Sequence, residues 1–388
     1  MSQIRGHSNY LLAGCTSDEE INFPADLSAS VDWVRFDGAD LPFSIVGMSD
    51  VMPYSSARFR DLTENQLKAY ERAFVSKTAA MIKKIKPDVI HAHHLWIMTS
   101  AIKRSYPSYP LIASSHGSDI RQLITCPHLA ERVIAGCRHL FRVLALTKKQ
   151  QQMIHSLYKI PDSHIVVAGT GFNDSLFTLK IKPKVDPVIL VYAGKLSSAK
   201  GVPWLLHALQ NITDISWQLH IAGEGAGSEK EAIVTLASEI SENVHFHGSL
   251  SQEKLAELFQ KAHVFILPSL YEGFALVILE ALACGCRIVA TELPAIQEMF
   301  SEPYPDYIQT VTMPRLKDMD KPLKQDEQSF INNLSAAIRK QMIAATNQPD
   351  LPEHEIKRYL APFKWSNIFN VIQKSYHETI QMTSTKMA

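Results

Sequence analysis

Apolar residues along this chain fall into two recurring patterns: short continuous runs, and longer stretches with apolar positions every three or four residues. Pro187-Val-Ile-Leu-Val-Tyr-Ala193 and Val264-Phe-Ile-Leu-Pro268 are runs of the first kind, as expected of strands buried on both faces of a parallel sheet. Strands are predicted at 8–14, 31–36, 88–92, 111–114, 141–146 and 164–168, with helices over 64–86, 130–137 and 148–158. The pattern then restarts, with strands at 188–193, 217–222, 244–247, 263–267 and 287–291. Strands alternating with helices specify parallel, doubly wound sheets. Between the two series, Leu179-Lys-Ile-Lys-Pro-Lys-Val-Asp-Pro187 carries two prolines and three lysines and reads as an interdomain linker. The expected architecture is α/β, with two Rossmann-like domains over 1–180 and 181–362 facing one cleft. A last segment, 363–388, includes an amphipathic helix from Trp365 to Ile380.

Composition agrees with this division. A chain of 388 residues exceeds what one hydrophobic core usually holds, and 46% apolar content permits two. Lys and Arg number 39 against 39 Asp and Glu, which argues against a general nucleic-acid binder. Five cysteines, none in a CxxC pair, fit a reducing cytoplasm, and Cys284 and Cys286 flank Gly285 too closely for ordinary disulfide geometry. No run approaches the ~18 apolar residues of a membrane span and no signal peptide is visible. The expected protein is cytoplasmic, soluble or peripheral to a membrane.

Candidate chemistry lies at two strand exits. In Glu272-Gly-Phe-Ala-Leu-Val-Ile-Leu-Glu280, two carboxylates bracket an apolar helix expected to start near Phe274. Free N–H groups and the positive dipole end at such a start suit a diphosphate, and Gly273 permits close approach to the backbone. At ~1.5 Å per residue Glu280 sits roughly 9 Å beyond Phe274, about the span from a diphosphate to a ribose. Without a ligand, Glu280 reads instead as a structural acid needing a partner such as an Arg, and spacing does not separate the two readings. The second exit is Gly194-Lys-Leu-Ser-Ser-Ala-Lys-Gly201, which places Lys195 and Lys200 on a strand-to-helix turn. Such turns open into the ligand crevice of a parallel sheet, where cations neutralise a diphosphate. Solvated loop lysines are the alternative.

Together these segments resemble the retaining glycosyltransferases of family 4, which have the GT-B fold and show a Gly-Arg-Leu…Lys-Gly turn followed by a Glu-x7-Glu motif. Lys195 stands where Arg is usual, keeping the charge and losing the bidentate fork. The resemblance runs from about residue 5 to the C-terminus and is most specific over 188–300. It implies that Lys195 and Lys200 grip the donor diphosphate, Glu280 the ribose and Glu272 the hydroxyls of the transferred sugar. Gly194 belongs to the donor turn, and the amides of Gly273, Phe274 and Ala275 lie along sugar and phosphates. Ser115-His-Gly-Ser-Asp119 resembles the family's His-Gly-x-Asp turn, which would bring His116 near the anomeric carbon as a catalytic group; read alone, His116 is a turn-stabilising histidine. The implied donor is a UDP- or GDP-sugar, without metal or other cofactor, and the acceptor a glycan, lipid or small molecule. A GT-B epimerase or phosphorylase, or a non-catalytic sugar-nucleotide binder, remains the alternative.

Other patterns carry weaker expectations. His91-Ala-His-His94 puts His91 and His93 on one strand face, a weak metal site without a nearby Cys or carboxylate. Asp318-Met-Asp320 reads as a solvated charge run with no strand before it, and Gly223-Glu-Gly-Ala-Gly227 as a plain strand-exit turn with an acid where phosphate would sit. The basic stretch 77–86 is open to membrane contact or to a solvated helix face. The span Val51–Phe59 is open to acceptor binding or to packing. Four residues precede Arg5-Gly-His-Ser-Asn-Tyr-Leu-Leu-Ala13, the segment that in relatives follows a strand, a Gly-rich turn and a helix. The expectation is an N-terminal domain lacking its first βα unit, with an unpaired sheet edge open to dimerisation.

Overall fold

The computed structural model describes residues 5–16, 31–50, 52, 54–300, 304–318 and 321–387. The chain divides into two compact units, Met1–Gly169 with Ile368–Ala388, and Thr170–Asn367. The first division falls before the Lys- and Pro-rich stretch rather than at 180/181, because Phe172 and Phe177 are already buried in the second unit's core.

The first unit contains β1 (Leu11–Thr16), β2 (Val31–Phe36), the short β3 (Val46–Gly47) and β4 (Ala57–Arg58), then β5 (Ile90–His93), β6 (Leu111–Ser114), β7 (Arg142–Ala145) and β8 (Ile165–Val167). Its helices are α1 (Glu64–Ile85), α2 (Ile97–Ser105), α3 (Ser118–Thr125), α4 (Ala130–Cys137) and α5 (Lys148–Tyr158). Strands β5 to β8 form a parallel sheet in sequence order, while β1 and β2 form a separate parallel pair. Among the described residues no ladder joins the two sheets. Helix α1 starts at a capping box, Thr63 with Gln66, and stops at Lys86 in the left-handed region. The core beneath gathers Phe36, Phe59, Tyr70, Phe74 and Trp96. Phe59, from the span open to acceptor binding, is thus a core residue packed edge-on to Tyr70 and Trp96; Val51 and Pro53 lie outside the described residues.

The second unit contains β9 (Val188–Ala193), β10 (Trp217–Ala222), β11 (Val244–Gly248), β12 (Val264–Leu267), β13 (Arg287–Thr291), β14 (Ile308–Val311) and the short β15 (Leu316–Asp318) and β16 (Lys321–Pro322). Its helices are α6 (Val202–Gln210), α7 (Gly227–Ile240), α8 (Gln252–Lys261), α9 (Leu276–Ala283), α10 (Pro294–Met299), α11 (Lys324–Asn347) and α12 (Glu353–Leu360). One parallel sheet runs in the order β11-β10-β9-β12-β13-β14. Asp318 ends a strand, contrary to the sequence expectation, because β15 and β16 form a two-stranded hairpin; Asp320 lies outside the described residues. Helix α11 has no counterpart among the predicted elements, since its buried stripe mixes Ser335 and Gln341 with Phe330, Leu334 and Ile338.

The last helix, α13 (Trp365–Met387), enters the first unit at Ile368, where Val371, Ile372 and Tyr376 pack on Ile112, Leu144 and Ala168 of its sheet. Among the described residues no helix is long and apolar enough to cross a membrane.

Candidate functional site

Strand order in the second unit reverses between β9 and β12: the chain leaves β9 toward β10 and β11, then returns to β12 on β9's other side. Loops leaving two neighbouring parallel strands in opposite directions open a crevice at their carboxyl ends. The loops here are 194–201 and 268–275, which hold the two motifs singled out in the sequence.

The backbone of the first loop is held from below. Buried Tyr192 donates its hydroxyl to the Lys195 carbonyl at 2.7 Å, Leu196 N donates to Glu224 O at 3.0 Å, and Ser198 N to the Glu229 carboxylate at 2.8 Å. Gly201 has φ +76, and a Cβ there would stand 2.0 Å from the Pro268 carbonyl oxygen, so only glycine lets the loops dock. Docking continues through Leu270 N, which donates to Ala199 O at 3.0 Å. The same close approach explains Gly223 beyond β10, whose Cβ would meet Gly194 O at 1.9 Å; the following Glu224 pairs with Lys230 at 2.7 Å.

This docking separates the two lysines that the sequence treats alike. Lys195 is exposed. Lys200 Nζ forms an ion pair with Glu272 at 2.8 Å and donates to Tyr271 O at 3.2 Å. Gly273, Phe274 and Ala275 precede helix α9 rather than beginning it, because no residue there supplies a side-chain cap and Ala275 stands at the N-cap position. Glu280 is therefore four residues into the helix, about 6 Å along its axis from Leu276. Its side chain is 7% exposed and finds no hydrogen-bond or ion-pair partner among the described residues. Desolvation alone pushes its pKa up to about 7. Among the described residues no Arg is supplied to it, so the carboxyl is desolvated without the compensation a structural acid needs.

Sequence reasoning missed three features of this unit. Ser269 Oγ and Thr291 Oγ1, at the ends of β12 and β13, are buried hydroxyls without partners among the described residues; hydroxyl residues just past apolar strands are the signal that marks them. Lys182, which the sequence places in an interdomain linker, is 6% exposed and donates to Phe259 O and Cys284 O, both at 2.8 Å. It thereby caps the carboxyl ends of α8 and α9 with one ammonium. Cys284 and Cys286 are buried thiols outside any disulfide, as are Cys126 and Cys137.

His116 belongs to the first unit. Its turn is organised by Asp119, fully buried, which accepts from Ser115 Oγ, Gly117 N and Ile120 N on one oxygen and from Leu95 N at 2.8 Å on the other. His116 Nε2 meets His93 Nδ1 at 3.0 Å, and the ring lies 4.7 Å from that of His94. Desolvation first, then the charge of a protonated His94, lower the His116 pKa, with Asp119 opposing. His91 and His93 share a face as expected, stacked at 4.8 Å, yet both nitrogens of His91 are taken, by Tyr376 OH and Ser114 Oγ, each at 2.8 Å. Among the described residues no group of three or more His, Cys, Asp or Glu is placed to hold a metal ion. In the basic stretch of α1, Lys77 pairs with Asp40 at 3.3 Å and Thr78 is buried.

Residues 187–309 match the family model described as glycosyl transferases group 1, and residues 55–176 that described as glycosyltransferase family 4. An uncharacterized glycosyltransferase of Methanocaldococcus jannaschii is 24% identical over 286 residues, 68% of this chain and 72% of that protein. Sucrose-phosphate synthase of Thermosynechococcus elongatus has a similar structure, with a TM-score of 0.64 over 92% of this chain and 90% of that chain at 19% identity. Anabaena HepE, solved in complex with UDP-glucose, gives a TM-score of 0.54 over 79% of this chain and 82% of that chain at 16% identity.

Proposed function

We propose that this chain, which has the GT-B fold and matches two glycosyltransferase family models over part of its length, is a member of the group 1, family 4 glycosyltransferases and moves a sugar from a nucleoside diphosphate to an acceptor hydroxyl with retention of anomeric configuration. The observation that carries this reading is the buried Glu280, without a partner among the described residues, on the helix behind the Lys200–Glu272 pair at the switch point of a parallel sheet. Glu280 accepts hydrogen bonds from ribose hydroxyls. Lys195, Lys200 and the uncapped start of α9 stabilise the diphosphate, and more strongly as the bond to the anomeric carbon breaks and charge gathers on its oxygen. Glu272 exchanges part of its bond with Lys200 for hydroxyls of the sugar. The acceptor oxygen then bonds to the anomeric carbon on the face the diphosphate leaves, and its proton passes to the departing diphosphate oxygen. UDP-glucose is the first donor to test, since the Anabaena relative in fold was solved with it.

The test is a panel of nucleotide sugars, scored by thermal shift and by release of nucleoside diphosphate, with the product anomer read by NMR. A donor at about 100 times its dissociation constant stabilises by about 2.7 kcal/mol. Stabilisation by no member of the panel overturns the reading. Binding without turnover, with acceptors supplied, favours a non-catalytic sugar-nucleotide binder. An inverted product overturns retention alone.

A further inference from the structure

We infer that His93 is the positioning residue of His116: it occupies the Nε2 nitrogen of that ring and leaves Nδ1 as the nitrogen available to a ligand. The two side chains are 23 residues apart in sequence and are brought together by neighbouring parallel strands, β5 carrying His93 and the exit of β6 carrying His116. Their nitrogens stand 3.0 Å apart and their rings stack at 5.2 Å with 29° between planes. One proton lies between those two nitrogens, so the tautomers are linked. If His116 carries its proton on Nε2, His93 Nδ1 accepts it and Nδ1 of His116 is a free base. If His93 Nδ1 carries the proton, Nε2 of His116 accepts and Nδ1 of His116 is a donor. In both arrangements Nε2 is engaged and the ring is held against rotation.

His93 is itself braced. Its ring stacks on His91 at 4.8 Å and 17°, and His91 is pinned at both nitrogens, to Ser114 Oγ and to the hydroxyl of Tyr376 on α13. A column of three imidazoles thus runs from the last helix of the chain to the turn at His116. Nothing else in the column bonds to Nε2 of His116 among the described residues. Removing His93 leaves Nε2 of His116 without this partner and frees the ring to turn, without disturbing the Asp119 network that shapes the backbone of the turn.

The catalytic duty of His116 rests on the transferase reading; the contact with His93 does not, and the experiment keeps the two apart. The full chain is labelled with 15N-histidine, and two-bond proton–nitrogen spectra report tautomer and hydrogen bonding at His116 in wild type, His93→Ala and His93→Asn. In parallel, release of UDP from UDP-glucose gives kcat and KM separately. Wild type is expected to show a neutral His116 with a hydrogen-bonded Nε2. His93→Ala is expected to give an averaged ring and to lower kcat by about 10- to 100-fold with KM unchanged, the loss typical of a reacting group held out of line. In His93→Asn the amide oxygen stands close to where Nδ1 stood, and the hydrogen bond at Nε2 and most of kcat return. Unchanged His116 signals in His93→Ala overturn the inference, as does equal loss of kcat in both variants. If wild type releases no nucleoside diphosphate from any nucleotide sugar of the panel, the transferase reading fails, and the spectra alone decide the positioning role.

Discussion

Replacing Glu280 by Gln should make the free protein more stable and its nucleotide affinity weaker, and these opposite signs separate a ligand-binding acid from a structural one. Glu280 is 7% exposed and has no hydrogen-bond or ion-pair partner among the described residues, so its carboxylate is largely desolvated without compensation. Burial raises its pKa from 4.5 to about 7. At about 1.4 kcal/mol per pKa unit, holding the ionised form in the folded state costs about 3 kcal/mol. Because the folded pKa is the higher one, the carboxyl's contribution to stability is fully present below pH 4.5. It is lost as pH rises from there through about 7, the native state binding more protons over that window. Gln keeps the shape and cannot ionise. At pH 8 Glu280→Gln should therefore exceed wild type by up to about 3 kcal/mol, and near pH 5 most of that difference should vanish. Nucleotide binding should move the other way: a hydrogen bond to a charged group is worth about 1.5–3 kcal/mol, so UDP affinity should fall roughly 10- to 100-fold. Urea melts of wild type and variant at pH 5 and pH 8, with calorimetric titration of UDP, measure both. A stability difference that is the same at the two pH values refutes the desolvation argument, and an unchanged UDP affinity refutes the ligand role.

Lys200→Ala should cut sugar transfer by ~100-fold or more, as loss of one strong charge-stabilising contact does, while thermal stability barely moves because the pair with Glu272 is partly exposed; wild-type turnover discards the diphosphate assignment. Glu272→Gln should lower turnover of the sugar donor and leave UDP affinity intact, so a parallel loss of both in calorimetry and kinetics sinks the division of duties between the two carboxylates. Lys182→Met should destabilise by roughly 3 kcal/mol, since two buried helix-end carbonyls lose their donor; a urea midpoint equal to wild type would show that water replaces the ammonium. Gly201→Ala must push a Cβ away from Pro268 O, 2.0 Å distant at φ +76, and should cost at least ~1–3 kcal/mol and weaken UDP binding with it; an unshifted melting temperature contradicts the loop docking.

Local pattern determined much of the fold. The predicted 188–193, 217–222, 287–291, 130–137 and 148–158 coincide with β9, β10, β13, α4 and α5, because a continuous apolar run or a helical stripe with its caps is written within a dozen residues. Where that local code weakens, so did the reading. The strand expected from Ser8 begins at Leu11, α9 starts two residues late for want of a capping side chain, and the mixed stripe of α11 hid a helix of 24 residues. The sequence also located the two strand-exit loops that the sheet brings side by side at its switch point, since each follows an apolar strand directly. What those residues do to one another was decided only by the tertiary structure. Lys200 meets Glu272, Lys182 closes two helix ends, His93 meets His116, and Glu280 finds no partner among the described residues. Each of these depends on strands and loops distant in sequence being docked side by side, and on how much water that docking removes. Charge pairing and desolvation are properties of the packed neighbourhood, which no window of sequence contains.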